Sequence, residues 1–368
     1  MKRILVMGMS KDRGGMETCI MNYYRHIDRS KFQFDFISYN EPPYCVREIE
    51  ALGGRCFVIP GRFVSYRKNK KELKDFFHTH GHEYEALWYN CCLISDLTLF
   101  KAAAKYHIPK KIVHAHNSKP MGHAFSNWLH TKYKNRITKY ATDFWACSQE
   151  AGKFFYSDGI LQSRQFRVIT NAIETKEFCF RPQVRQEIRQ QLALQDRFVL
   201  GNVARMDPEK NQLMLLEIFS RLHKQRADSV LLLIGQGRLE NELKARTKEL
   251  NLEDSVLFLG QRHDVARLYC AMDAFLLPSE FEGLPMTLIE AQACGLPSFT
   301  STEAVPPEAA VTPLLHFISL AESPEKWAEA IVKECADTNT AERAETEKIL
   351  ADSRWNIKQA ALLLEELF

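Results

Sequence analysis

The 368-residue sequence contains no run approaching the roughly 18 uninterrupted apolar residues that a membrane span needs. Its opening, MKRILVMGM, carries an apolar stretch too short for a secretory-signal core and continues into glycines and charges. The expected location is the cytoplasm, with contact along the inner face of a membrane left open. Formal net charge is only +3, which excludes the strongly basic balance of a nucleic-acid binder. The ten cysteines are scattered, and the adjacent Cys91-Cys92 is their one close pair. Neither a zinc site nor a disulfide framework finds its spacing there, and buried reduced thiols are expected. Low-complexity segments and short-period repeats are lacking. The turn after the first strand lacks the G-x-G-x-x-G fingerprint, which disfavours a plain dehydrogenase.

What is present is an alternation of short apolar runs with helical patterns, at the 45% hydrophobic and 26% charged content of an ordinary globular enzyme. Strands are predicted at 3–9, 32–38, 55–59, 86–89, 111–114 and 143–147, with helices at 14–27, 70–80 and 95–106 among them. After a last strand at 168–169, the domain boundary is expected near 171–185, and the segment ITNAIETKEFCFRP has no clear period. The theme resumes with strands at 198–203, 229–234, 255–259, 274–277 and 298–300, and helices at 212–225, 239–250, 265–271 and 286–293. The chain closes on a helix at 355–368 with Ile357, Ala360, Ala361, Leu364 and Phe368 as its apolar residues. This pattern predicts an α/β protein of two Rossmann-like doubly wound domains in series. Ligands of open parallel sheets bind beyond the carboxyl ends of the strands, so the crevice is expected between two domains facing a central cleft.

Chemistry-bearing residues fall at those strand ends. The segment PSEFEGLPMTLIEA follows the strand at 274–277. Gly283 allows a tight turn and Pro285 suits a first helical turn, with Leu284 between them. Such a strand, glycine loop and helix aims backbone N–H groups at an anion. Glu282 precedes the helix and Glu290 lies within it, positioned to address two ends of one elongated ligand. The segment GNVARMDPEKN places Arg205 and Lys210 after the strand at 198–203. A lysine at a helix start opposes the dipole, which makes sense if an anion sits between the two cations. The segment KDRGGME puts Gly14, Gly15 and Glu17 after the first strand, where two glycines permit close backbone approach. HAHNS places His116 and Asn117 at a strand end, as polar contacts rather than metal ligands. Gly235, in GQG, and Arg262, in GQRHDV, mark two further strand ends. Each of these has a bland reading as a turn or a solvated charge.

Taken together, these residues resemble the family 4 retaining glycosyltransferases of the GT-B fold, particularly those of bacterial capsular and exopolysaccharide synthesis. The most specific element is a pair of glutamates separated by seven residues, matched by Glu282 and Glu290. The resemblance spans essentially the whole chain. It implies an acceptor-binding domain at 1–175, a nucleotide-sugar donor domain at 176–352, and a helix at 353–368 crossing back to the first domain. Arg205 and Lys210 would stabilise the departing diphosphate, Glu282 would contact the donor sugar, and Glu290 would hold the ribose. His116 would contact the transferred sugar, and Gly14, Gly15, Gly235, Arg262, Gly283, Leu284 and Pro285 would border the donor, with Glu17 and Asn117 on the acceptor side. The resemblance further implies a hexose or N-acetylhexosamine carried on a nucleoside diphosphate, with UDP favoured. The acceptor would be a saccharide or lipid-linked saccharide, and neither a cofactor nor a metal would be required. One departure is Ala172 in ITNAIE, where the family often has glycine. Two alternatives stay open: a nucleotide-sugar 2-epimerase, and a non-catalytic partner subunit of another glycosyltransferase. The basic and aromatic residues at 125–140 and the run at 67–71 suggest an anionic membrane surface as a further partner.

Overall fold

A computed structural model describes residues 1–12, 14–120, 124–336 and 340–368. The chain divides into two units, one of Met1–Ala172 with Ile357–Phe368, the other of Ile173–Asn356. The first unit holds a seven-stranded sheet: β1 (Lys2–Met7), β2 (Phe32–Tyr39), β3 (Cys56–Ile59), β4 (Tyr84–Cys91), β5 (Lys110–Ala115), β6 (Asp143–Ala146) and β7 (Phe166–Val168), ordered β3-β2-β1-β4-β5-β6-β7. The second holds six strands: β8 (Phe198–Val203), β9 (Ser229–Ile234), β10 (Val256–Gly260), β11 (Ala274–Leu277), β12 (Ser298–Ser301) and β13 (Leu315–Ile318), ordered β10-β9-β8-β11-β12-β13. Every pairing between these strands is parallel. Both sheets are doubly wound, and the strand order reverses between β1 and β4 in one and between β8 and β11 in the other. Those reversals are where connecting loops diverge and leave a crevice.

Burial follows from this architecture. The expected strand at 32–38 alternates apolar with polar residues, as a half-exposed strand would, yet every residue of Phe32–Ser38 is buried. A parallel sheet is covered on both faces, so the polar positions need partners. Asp35 receives Arg3 and Arg55, and Gln33 donates to the Tyr24 hydroxyl. The core of the second unit includes Leu200, Leu231, Leu233, Leu276, Phe299, Phe219 and Trp327. Burial of such side chains stabilises by about 1.5–3 kcal/mol each. All ten cysteines are free thiols, seven of them buried.

Several elements lie outside the predicted pattern. Helix Pro182–Gln191 begins inside the stretch that showed no period, with Pro182 at its start where a missing N–H is harmless. Strand β13 and helix Pro324–Glu334 complete the second unit, the helix capped by Ser323, which accepts from the Lys326 N–H. Residues 173 and 356 are tied by a parallel bridge, and the Ile173 N–H donates to the Trp355 carbonyl. That pairing keeps both crossing segments in the second unit. The closing helix Ile357–Leu367 packs in the first unit: Glu365 accepts from the Asp28 N–H at 2.7 Å and Lys2 donates to the Phe368 carbonyl at 3.2 Å. The Phe368 ring lies among Phe32, Phe34, Trp88 and Trp145.

Candidate active site

In the second unit, the loops leaving β8 and β11 meet at the reversal of strand order. Lys210 sits in a 3-10 turn, Pro208–Lys210, rather than in the helix that follows. Asn211 separates the two by adopting a left-handed φ of 54°, the kind of backbone strain that clusters at functional loops. The turn aims Lys210 at Glu282, with Nζ 2.7 and 2.9 Å from the two carboxylate oxygens. Ser279 donates to the same carboxylate at 2.7 Å. The Glu280 N–H donates to the Glu209 carbonyl at 3.0 Å, joining the two loops through their backbones. Glu282 is buried, and Leu284 and Pro285 are buried behind it.

The placement of Lys210 at a helix start has a partner within the chain itself. Each cation already has carboxylates: Lys210 has Glu282, and Arg205 has Asp207 at 2.7 Å and Glu209 at 3.1 Å. The Arg205 side chain remains 58% exposed and that of Lys210 only 18%. Lys210 is therefore the enclosed charge of the two, and Arg205 the solvent-facing one. Helix Met286–Ala293 carries Glu290, whose Oε2 accepts from the Tyr269 hydroxyl at 3.0 Å. Burial and the Glu290 carboxylate hold that phenol well above its usual range.

Gly235 and Arg262 sit on neighbouring loops at the same sheet edge. Gly235 has φ 136°, and a Cβ there would lie 2.0 Å from the Ala204 carbonyl oxygen. Its N–H donates to the Gly260 carbonyl at 2.9 Å, and the Met206 N–H donates to the Gln236 carbonyl at 3.0 Å. The first bond ties the Gly235 loop to the end of β10, and the second ties it to the loop carrying Arg205. Arg262 forks onto Asp264 with two contacts of 2.8 Å.

In the first unit, Gly14 is the residue before helix Gly15–His26, and a Cβ on it would come 2.7 Å from Glu17 Oε2. Nothing lies within 4 Å of a Cβ built on Gly15. Glu17 is buried and accepts from the Ser10 hydroxyl at 2.8 Å. Arg13, in the same segment, lies outside the described residues. A cavity of about 520 Å³ opens at these strand ends, lined by Met7, Ser10, Glu17, Tyr39, Asn40 and Asn90 among others. His116 Nε2 lies 2.9 Å from Asn90 Oδ1, and burial pushes its imidazole down to about 3. Asn117 spends its amide on its own loop, donating to the Lys119 carbonyl at 2.7 Å and accepting from the Ser118 N–H at 3.0 Å. Its visible work is to shape the turn after β5. Sequence reasoning missed Gly8, Asn90 and Ser279; Asn90 and Ser279 each follow a predicted strand closely, which was the available signal, whereas Gly8 lies within one. No cluster of three or more metal-ligating side chains occurs among the described residues.

Comparison with known proteins bears on this geometry. The putative glycosyltransferase EpsF of Bacillus subtilis (strain 168) is 32% identical over 347 residues, covering 91% of this chain and 88% of that protein. The chain belongs to the group 1 glycosyltransferases. The family described as glycosyl transferases group 1 matches residues 184–349, which takes in the Lys210–Glu282 loops and Glu290. A shorter match, 38% identical over 107 residues, joins this glycosyltransferase to the Escherichia coli UDP-Gal:alpha-D-GlcNAc-diphosphoundecaprenol alpha-1,3-galactosyltransferase, at 28% of each chain. Among solved structures, HepE of Anabaena in complex with UDP superposes with a TM-score of 0.80 at 19% identity, covering 100% of this chain and 99% of that one. The fold is thus GT-B, two Rossmann-like parallel-sheet domains in one glycosyltransferase chain.

Proposed function

We propose that this enzyme is a family 4 retaining transferase that moves a hexose or N-acetylhexosamine from a UDP-sugar to a saccharide or lipid-linked saccharide in polysaccharide synthesis. The observation that carries the reading is the junction of the β8 and β11 loops, where Lys210, Glu282 and Ser279 are bonded together beside Arg205. Lys210 and Arg205 supply enclosed and solvent-facing positive charge for a diphosphate, and the start of helix Met286–Ala293 supplies backbone N–H groups. Glu290 holds ribose hydroxyls and Glu282 addresses the sugar. Arg262, Gly235, Gly14 and Gly15 are assigned to donor binding. Glu17 and Asn117 lie on the acceptor side. The Escherichia coli relative named for a diphosphoundecaprenol-linked sugar and the UDP-bound HepE support both halves of this reading.

In the transfer step the bond from sugar C1 to the diphosphate oxygen breaks as the acceptor hydroxyl bonds to C1 on the same face. The acceptor proton passes to the departing diphosphate. Preorganised cations that stabilise charge as it grows on the leaving group supply the catalysis, so the step is proposed to run without a metal. No helix among the described residues is long and apolar enough to cross a membrane. We place the enzyme in the cytoplasm, lying against the inner membrane face. What supports that placement is an exposed set of apolar side chains in the first unit: Phe63, Val64, Tyr66, Phe125 and Trp128. Lys132 stands over the Trp128 ring at 4.8 Å. Arg62 lies over Phe63 and Tyr66 and donates to Asp96 at 2.8 Å.

Thermal shift with UDP, GDP, ADP and their sugar conjugates, with EDTA present, tests the donor site, because a ligand that binds only the folded chain raises Tm. A selective rise with UDP and a UDP-sugar is expected. No rise with any nucleotide would overturn the assignment.

A further inference from the structure

Asn90 is the next-to-last residue of β4 and is buried. It fits there because Gly8, at the end of neighbouring β1, has φ 128°; a Cβ on Gly8 would lie 2.6 Å from the Asn90 Cβ. The Asn90 amide nitrogen donates toward the Met7 carbonyl at 3.2 Å and the Trp88 carbonyl at 3.4 Å. Both partners are acceptors, so the amide nitrogen must face them and Oδ1 must face away. Oδ1 meets His116 Nε2 at 2.9 Å. An amide oxygen only accepts, so Nε2 carries the hydrogen. The ring is neutral, since burial disfavours the imidazolium and no carboxylate is bonded to it. Nδ1 is consequently a bare lone pair, and it is buried with no hydrogen-bond partner among the described residues. His114 is the titratable group facing it, with ring centroids 4.2 Å apart; it accepts from the Trp88 indole N–H at 3.3 Å, and burial keeps it neutral as well.

We propose that Asn90 is a positioning residue that locks His116 in its Nε2–H form, so that Nδ1 accepts a hydrogen bond from a hydroxyl of the donor sugar. The sugar part of this proposal rests on the transferase reading above; the tautomer part does not. The cavity of about 520 Å³ that Asn90 lines, with Met7 and Tyr39, brings space for a ligand to the same strand ends. A bare acceptor selects chemically. A hydroxyl satisfies it, whereas a carboxylate, a phosphate oxygen or an ether oxygen leaves it unpaired. The same lock removes His116 from general acid or base duty near neutral pH, because proton transfer is efficient only when the pKa lies near the working pH.

Nitrogen NMR of the full chain labelled in its histidine rings tests this between pH 5.5 and 8. The parent should show His116 with hydrogen on Nε2 only and no titration. Asn90→Asp, which keeps the shape but places a carboxylate at Nε2, should bring protonation into that range and put hydrogen on both nitrogens. Hydrogen on Nδ1 in the parent, titration of the parent ring, or an unchanged spectrum in Asn90→Asp would overturn the lock. UDP-glucose, UDP-galactose and UDP-N-acetylglucosamine are then added, each compared with UDP alone. At least one should move the Nδ1 signal beyond the UDP effect, and failure of all three overturns the hydroxyl contact. If UDP itself raises no Tm, the donor-site reading fails, while the ligand-free spectrum still decides the role of Asn90.

Discussion

Replacing Lys210 with methionine keeps the length of the side chain and deletes the cation that Glu282 holds at 2.7 and 2.9 Å. The side chains are 18% and 7% exposed, so the pair lies between two regimes. An exposed pair contributes about 0–1 kcal/mol, and one-sided removal from a buried pair costs about 3–5 kcal/mol. Ser279 still donates to the stranded carboxylate, which keeps the loss toward the lower end, about 2 kcal/mol. For a domain of this size that lowers Tm by about 4–8 °C. The effect on turnover should be larger and of different origin. One preorganised positive donor lost from the leaving group costs about 10²–10³ in kcat. The double variant Lys210→Met with Glu282→Gln separates the two, because the stranded charge disappears but the missing cation does not return. Urea unfolding and release of UDP from a UDP-sugar in the presence of acceptor measure each quantity. The double variant should regain stability and stay slow. Parental turnover in Lys210→Met, or a double variant no more stable than the single one, would refute the reasoning.

Gly235→Ala should destabilise by about 2–4 kcal/mol, through a strained φ and overpacking, since its Cβ would sit 2.0 Å from the Ala204 oxygen. A urea midpoint equal to the parent's would contradict this. The first unit should also weaken as pH falls from 6.5 toward 4. Burial lowers His116 to about 3 and His130 to about 4, so the unfolded chain binds more protons than the folded one in that window. Each such histidine adds a slope of about 1.4 kcal/mol per pH unit, and His130→Gln should flatten the urea-midpoint profile by about one proton's worth. An unchanged slope would count against a neutral buried ring. Binding to anionic vesicles at low salt should weaken in Phe63→Ser with Trp128→Ser, and by about 1 kcal/mol for each of Lys68, Lys70 and Lys132 neutralised. Equal recovery of the parent with neutral and anionic vesicles would dispose of the membrane surface.

How much of this was legible depended on how far apart in sequence the deciding partners lie. Strand ends can be read locally, because apolar runs give way to proline and polar residues, and so the loops bearing Arg205, Lys210, Glu282 and His116 were marked at once. The hydrophobic pattern misled at Phe32–Ser38, where alternation implies one wet face; only the neighbouring strands and helices reveal that both faces are dry and that Asp35 needs Arg3 and Arg55. Helix Pro182–Gln191 was not among the predicted helices, and a single residue of it, Ile188, is buried, which leaves little apolar periodicity to read. Side-chain partners were harder still. Gly8 meets Asn90, and Lys210 meets Glu282, across intervening strands that no local pattern connects.

The electrostatic argument about Lys210 illustrates the point most clearly. A cation near a helix start does need an anion, and that inference was sound; the anion in the free chain is Glu282, 72 residues away. This carries a consequence for the chemistry. A diphosphate arriving at Lys210 finds its lysine already held in place, so little side-chain entropy is left to lose on binding. It must also share that lysine with a carboxylate that repels it. Arg205, exposed although paired with Asp207 and Glu209, is on the proposed reading the charge that follows the diphosphate as it leaves. Removing Arg205 should therefore lower turnover more than it lowers nucleotide affinity, and a Kd for UDP that rises as steeply as kcat falls would show that Arg205 only binds.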